Sequence, residues 1–241
     1  MRGQTAAIVV AVVVAVVFAT GPPWWWHYLS SSPTAPASAH RAAALASGSQ
    51  APVQSPVTKS ASLMSGLLPA SAVGPSASIK DTTTELADLA GVCGEPATGA
   101  KAAAGEEIWT GSTPVVAEGI GYWDSAAIAG GFIRTDRNSL AHSINGCSTV
   151  SYGLASKWQG SYTATPPASC PNPGAEFVTE AYSQSSPDST FAPAGYFAEV
   201  QCGDITIYII TPSGGLQPAL SYLGTAVAQF AVTAGAAYRT W

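Results

Sequence analysis

The chain has 241 residues, 47% hydrophobic and only 10% charged, with nine Lys and Arg against fourteen Asp and Glu for a formal net charge of −5. All fourteen acids lie beyond residue 62 against six of the nine bases, which excludes a nucleic-acid partner because such binding needs clustered cations to neutralise phosphates. The four cysteines form no CxxC pair, and His142 is the only histidine beyond residue 62, so neither a metal site nor a cofactor is expected.

In chain order, the first element is a run from Thr5 to Trp26 without a charge, almost wholly aliphatic from Ala6 to Thr20. Its length falls between the roughly 20 residues of a membrane-spanning helix and the about 7–15 of a cleaved signal core. The flanks favour the former. Arg2 supplies a positive cytoplasmic end, and Trp24, Trp25, Trp26 and Tyr28 follow Pro22-Pro23 where the far headgroup layer would lie. Residues 1–29 therefore read as a single-pass anchor in the cell membrane, with the rest outside the cytoplasm. The alternative is a signal peptide cut near Ala19, which would give a secreted protein. No Cys follows the apolar run, which argues against a lipid anchor.

Residues 30–62 are rich in Pro, Ala and Ser and hold few large apolar side chains, so they are expected to stay disordered as an extended tether. Residues 63–241 are the size of one domain. Its acidity is expected to serve solubility. It contains Cys93, Cys147, Cys170 and Cys202, an even number that in an exported domain argues for two disulfides, with the pairing left open.

Within the domain, Leu63–Val73 suggests a short helical opening broken by Gly and Pro. Glu107–Thr110 and Val115–Trp123 carry branched and aromatic residues around a turn at Gly111–Pro114, the pattern of a hairpin. A helix capped by Asp124 or Ser125 follows through Ile144, with Ile128, Phe132, Leu140 and Ile144 on its apolar side. Strands are then predicted over Ser148–Tyr152, Ser161–Thr165, Ala175–Tyr182, Gly195–Cys202 and Ile205–Thr211, the last two joined by a tight turn. A long helix from about Leu216 bears a stripe of Leu216, Leu220, Leu223, Val227, Phe230, Ala234 and Tyr238. The expected architecture is α+β, an antiparallel sheet with helices packed on one face.

The order of the opening Leu67-Leu68 segment, Cys93, the paired strands ending at Tyr122-Trp123, the helix into Cys147, the Cys170 and Cys202 region, the Ile205–Thr211 strand and the Ala-rich last helix resembles a known family. That family is the extracellular sensor domain of actinobacterial transmembrane Ser/Thr kinases, the PknH-like extracellular domain, also found in mycobacterial-type exported proteins and lipoproteins. The resemblance implies an antiparallel sheet with helices against it, disulfides in sequential order (Cys93–Cys147 and Cys170–Cys202), and a ligand cleft on the opposite face. The chain departs from the kinase members in having neither a Gly-rich loop nor a catalytic His-Arg-Asp segment, so any signalling would pass to a partner in the membrane.

Three functional classes follow. The first is a sensor or binding domain for an unidentified small molecule or cell-envelope component, with Tyr122, Glu180, Tyr182, Tyr196, Glu199 and Tyr208 as the candidate contacts, because aromatic bodies with polar edges line such clefts. The second is a structural or protein-interaction module of the envelope. The third is an envelope hydrolase, but His142 has no Gly-x-Ser-x-Gly elbow to serve, and Glu176, Glu180 and Glu199 are as well suited to a wet sheet face as to glycoside chemistry. No catalytic residue is assigned. Alternation puts Tyr196, Ala198 and Val200 on one side of their strand and Phe197, Glu199 and Gln201 on the other.

Overall fold

The computed structural model describes residues 56–86, 89, 97–142, 148–151, 154–162, 166–170, 172–183, 192–212 and 215–238. The expected anchor, most of the expected tether, Cys93 and Cys147 lie outside the described residues. Two short helices, α1 (Pro56–Met64) and α2 (Ala70–Val73), precede strands β1 (Ala77–Thr83), β2 (Ala100–Thr110) and β3 (Thr113–Trp123). Helix α3 (Ala126–His142) leads to β4 (Ser148–Ser151), β5 (Leu154–Tyr162), β6 (Pro173–Ser183), β7 (Ala192–Cys202) and β8 (Ile205–Thr211). Helix α4 (Leu216–Thr233) and a 3-10 turn (Gly235–Ala237) close the fold.

The strands form one sheet in the order β1-β2-β3-β8-β7-β6-β5-β4, every neighbouring pair antiparallel. Two tight turns set its register. Thr110 pairs with Thr113 across Gly111-Ser112, and Cys202 pairs with Ile205 across Gly203-Asp204. Gly203 sits at φ 62°, a left-handed conformation that a residue without a side chain adopts at little cost and that matches the twist of paired strands.

Because β3 pairs with the last strand, β8, the chain leaving β3 must cross the sheet to start β4 at the far edge. Helix α3 makes that crossing. It therefore packs on one face of the sheet, while α1 and α4 pack on the other. The face under α1 and α4 holds the main core: Leu63, Leu68, Ile120, Ile207, Ile209 and Phe230 are all fully buried there. Each such side chain contributes about 1.5–3 kcal/mol by leaving water. On the face under α3, the rings of Trp123 and Phe132 lie 4.8 Å apart and those of Phe197 and Tyr208 stack at 5.4 Å. The expectation of helices on one face is thus corrected. An even meander on both sides of a central β3–β8 pair forces the connecting helix onto the face that the terminal helix leaves open.

Other expectations also shift. The tether was expected to end at Ser62, yet α1 begins at Pro56. Lys59 and Ser60 are drawn into the fold: the Tyr238 hydroxyl donates to the Lys59 carbonyl at 3.0 Å, and the Lys59 ammonium sits 3.9 Å over the Tyr122 ring. On α3 the buried line is Ala129, Phe132, Ile133 and Asp136, whereas Ile128 is 41% exposed. Ser125 caps that helix, its Oγ accepting the Ile128 amide at 3.4 Å. The strand expected at Ser161–Thr165 is β5, begun seven residues earlier at Leu154. Cys170 and Cys202 form the expected disulfide, Cα atoms 5.3 Å apart. Among the described residues, seven acids, Glu106, Glu107, Glu118, Asp136, Glu180, Glu199 and Asp204, are buried, so the acidity of the domain is not simply a solvated surface.

Candidate functional site

The structure divides the expected ligand contacts between the two sheet faces. Tyr122, Glu180 and Tyr196 lie on the face of α1 and α4. There the Tyr196 hydroxyl donates to Glu180 Oε1 at 3.1 Å, and the Tyr122 ring packs 5.1 Å from that of Tyr238. Tyr182 stands in β6 opposite Lys157 of β5, and its side chain lies outside the described residues, as do those of Glu176 and His142. Glu199 and Tyr208 lie on the face of α3, directly opposite each other in the β7–β8 register. Glu180 and Glu199, on opposite faces, do not converge on one bond.

The α3 face has the more demanding chemistry. Glu199 is 1% exposed, and neither carboxylate oxygen has a hydrogen-bond partner among the described residues. An ionised carboxylate there would forgo both water and donors, at a cost of several kcal/mol. Burial therefore pushes the Glu199 carboxyl well above the usual glutamate range, and the neighbouring Asp136 on α3 raises it further. Two acids from different elements thus meet in the layer between helix and sheet, and they cannot both ionise cheaply.

The walls of this layer are aromatic. Tyr208 pairs with Gly119 of β3, and a Cβ at residue 119 would collide with Cζ and Oη of Tyr208, so the glycine provides the floor on which the ring rests. Phe197 stacks on the same ring. Gln201, two residues beyond Glu199 on the same side, donates from Nε2 to the Ala126 carbonyl at 2.6 Å and to the Gly203 carbonyl at 2.8 Å, fastening the first turn of α3 to the β7–β8 hairpin. Trp123 Nε1 donates to Thr206 Oγ1 at 3.1 Å beside it. The arrangement places the Glu199 carboxyl, whose oxygens lack a donor among the described residues, beside stacked rings, a setting suited to an ammonium group or another strong donor. Among the described residues no group of three His, Cys, Asp or Glu side chains is disposed to hold a metal ion, and no helix is long and apolar enough to cross a membrane.

Sequence reasoning picked out Glu199 and Tyr208 but missed Asp136 and Gln201. Asp136 had a legible signal: it continues the i, i+3, i+4, i+7 line of Ala129, Phe132 and Ile133, an acid in an apolar stripe.

No protein-family model matches the chain, and no curated protein matches it by sequence. Among solved structures, the extracellular domain of PknH from Mycobacterium tuberculosis is similar over 71% of this chain and 93% of that one, at 10% identity and a TM-score of 0.48. At that distance it assigns no family.

Proposed function

We propose that this chain is an extracytoplasmic sensor or binding module, tethered to the membrane by the apolar run at residues 5–26, that holds a small ammonium-bearing ligand between α3 and the sheet. The observation that carries the reading is Glu199, a buried carboxyl whose two oxygens have no hydrogen-bond partner among the described residues, beside Asp136 and the stacked rings of Phe197 and Tyr208. A cation entering there supplies the charge and donors that Glu199 lacks, and ring faces add attraction for it. The Cys170–Cys202 disulfide supports an oxidising compartment. Glu199 belongs to the sheet and Asp136 to the helix, so an occupant touching both fixes α3 against β7, which is how occupancy would be passed to a partner.

The test is native mass spectrometry and thermal unfolding of the detergent-solubilised full chain with spermidine, choline and glucosamine, against neutral polyols of matching size. At least one amine should be retained and raise the unfolding temperature through linkage, and Glu199→Gln should abolish the effect. No stabilisation by any amine, or equal stabilisation of Glu199→Gln, would overturn the reading.

A further inference from the structure

We infer that the α1–α2 segment is held to the sheet by a proton-dependent latch formed by Glu106, Glu118 and the backbone amide of Leu68. The latch lies on the sheet face away from Glu199 and stands independently of the binding reading. Glu106 of β2 and Glu118 of β3 are directly opposite each other in register, and both are buried. Directly opposed side chains have Cβ atoms about 4.5–5.5 Å apart, close enough for like charges to repel strongly. Glu118 Oε2 accepts the amide of Leu68 at 2.6 Å, in the turn between α1 and α2, while Glu118 Oε1 and Glu106 Oε1 have no hydrogen-bond partner among the described residues.

Among the described residues the surroundings offer this pair no cation. Strand β1 places Thr82 opposite Glu106, and Asp81 opposite Glu107, whose side chain alternates to the other face; Lys80 is exposed. Strand β8 presents Ile209 to Glu118. Helix α4 carries no charged residue, and Lys59 of α1 holds its ammonium over Tyr122. Protons are therefore what balances the two acids. In support, burial lifts the Glu106 carboxyl to about 7. For Glu118, burial and Glu106 together outweigh the Leu68 amide and raise it well above the usual range.

The docked segment thus keeps protons that a released segment would give up. When α1 and α2 lift away, water reaches the pair and both acids return to the ordinary glutamate range. Release binds fewer protons, so raising the pH through neutrality favours it, by up to about tenfold in population per pH unit for each proton exchanged. Because α1 is the first described element after the Pro/Ala/Ser-rich stretch, the latch governs where that stretch leaves the domain.

Hydrogen–deuterium exchange on the solubilised full chain, corrected for intrinsic rates, tests this between pH 5 and pH 8.5. Protection of peptides spanning residues 63–70 should fall at least about tenfold relative to β7–β8 peptides as the pH rises, and the variant Glu106→Gln/Glu118→Gln should hold that ratio constant. A ratio that does not change with pH in the unsubstituted chain overturns the latch. A pH-dependent ratio that persists in the double variant, or in Glu106→Gln alone should the double variant not fold, overturns it too.

Discussion

Glu199 of β7 and Tyr208 of β8 stand opposite each other on the α3 face, and the Tyr208 ring reaches that position only because residue 119 beneath it has no side chain. Gly119→Ala should displace the ring, cost about 1–3 kcal/mol of stability as overpacking does, and disturb the Phe197 stack. Chemical denaturation checks the first effect, and the near-ultraviolet circular dichroism of the tyrosines checks the second.

Glu199→Gln keeps the shape of the side chain and removes its titration. In the native state the carboxyl is held protonated well above the ordinary range by burial and then by Asp136, whereas in the unfolded chain it ionises in that range. The unfolded state therefore binds fewer protons above the ordinary glutamate pKa, and stability falls as pH rises toward the native value. Gln at this position should leave stability nearly unchanged at pH 4.5 and increase it at pH 8. Denaturant titrations at the two pH values read this directly, and a variant less stable at pH 8 would count against the assignment.

Gln201 is the tie between α3 and the sheet. Gln201→Ala removes the bonds to the Ala126 and Gly203 carbonyls and should cost about 1–3 kcal/mol. The loss should appear first as faster amide exchange in the opening turn of α3, with the α4 face unaffected.

Cys170 and Cys202 join the loop before β6 to the end of β7 across 32 residues of chain. Replacing both with Ser should lower stability by about 2–4 kcal/mol. Non-reducing peptide mapping should recover the 170–202 linkage from the unsubstituted protein.

Much of the β-structure was legible because its residues alternate or turn in characteristic ways. The Gly203-Asp204 turn, the Gly111 hairpin and the opposite facing of Tyr196 and Phe197 all follow from local pattern, and Leu223, Val227 and Phe230 mark the buried side of α4. Strand β1 and the first half of β2 were not legible. Ala100–Gly105 has poor strand propensity, and its place in the sheet comes from pairing with β3 and from cover by Leu63 and Leu68 rather than from its own side chains. Nor could local pattern show that α3 and α4 cover different faces, since that follows from the pairing of β3 with β8, more than eighty residues apart in the chain.

Of the candidate site, Glu199 and Tyr208 were found as polar and aromatic residues on strands, but their separation from Glu180 and Tyr196 depends on which face each helix takes. The buried acids Glu106, Glu118 and Asp136 escaped notice because acidic side chains on a strand or helix ordinarily mark the wet side.

The most direct measurement is isothermal titration calorimetry of the solubilised chain with the amine that stabilises it most, in two buffers of different ionisation enthalpy at pH 7. Because Glu199 holds a proton that an ammonium group must displace, binding should release a proton in the unsubstituted chain and none in Glu199→Gln, where affinity should also collapse. Binding without proton release, or with the same affinity in Glu199→Gln, would contradict a ligand held at Glu199 between α3 and the sheet.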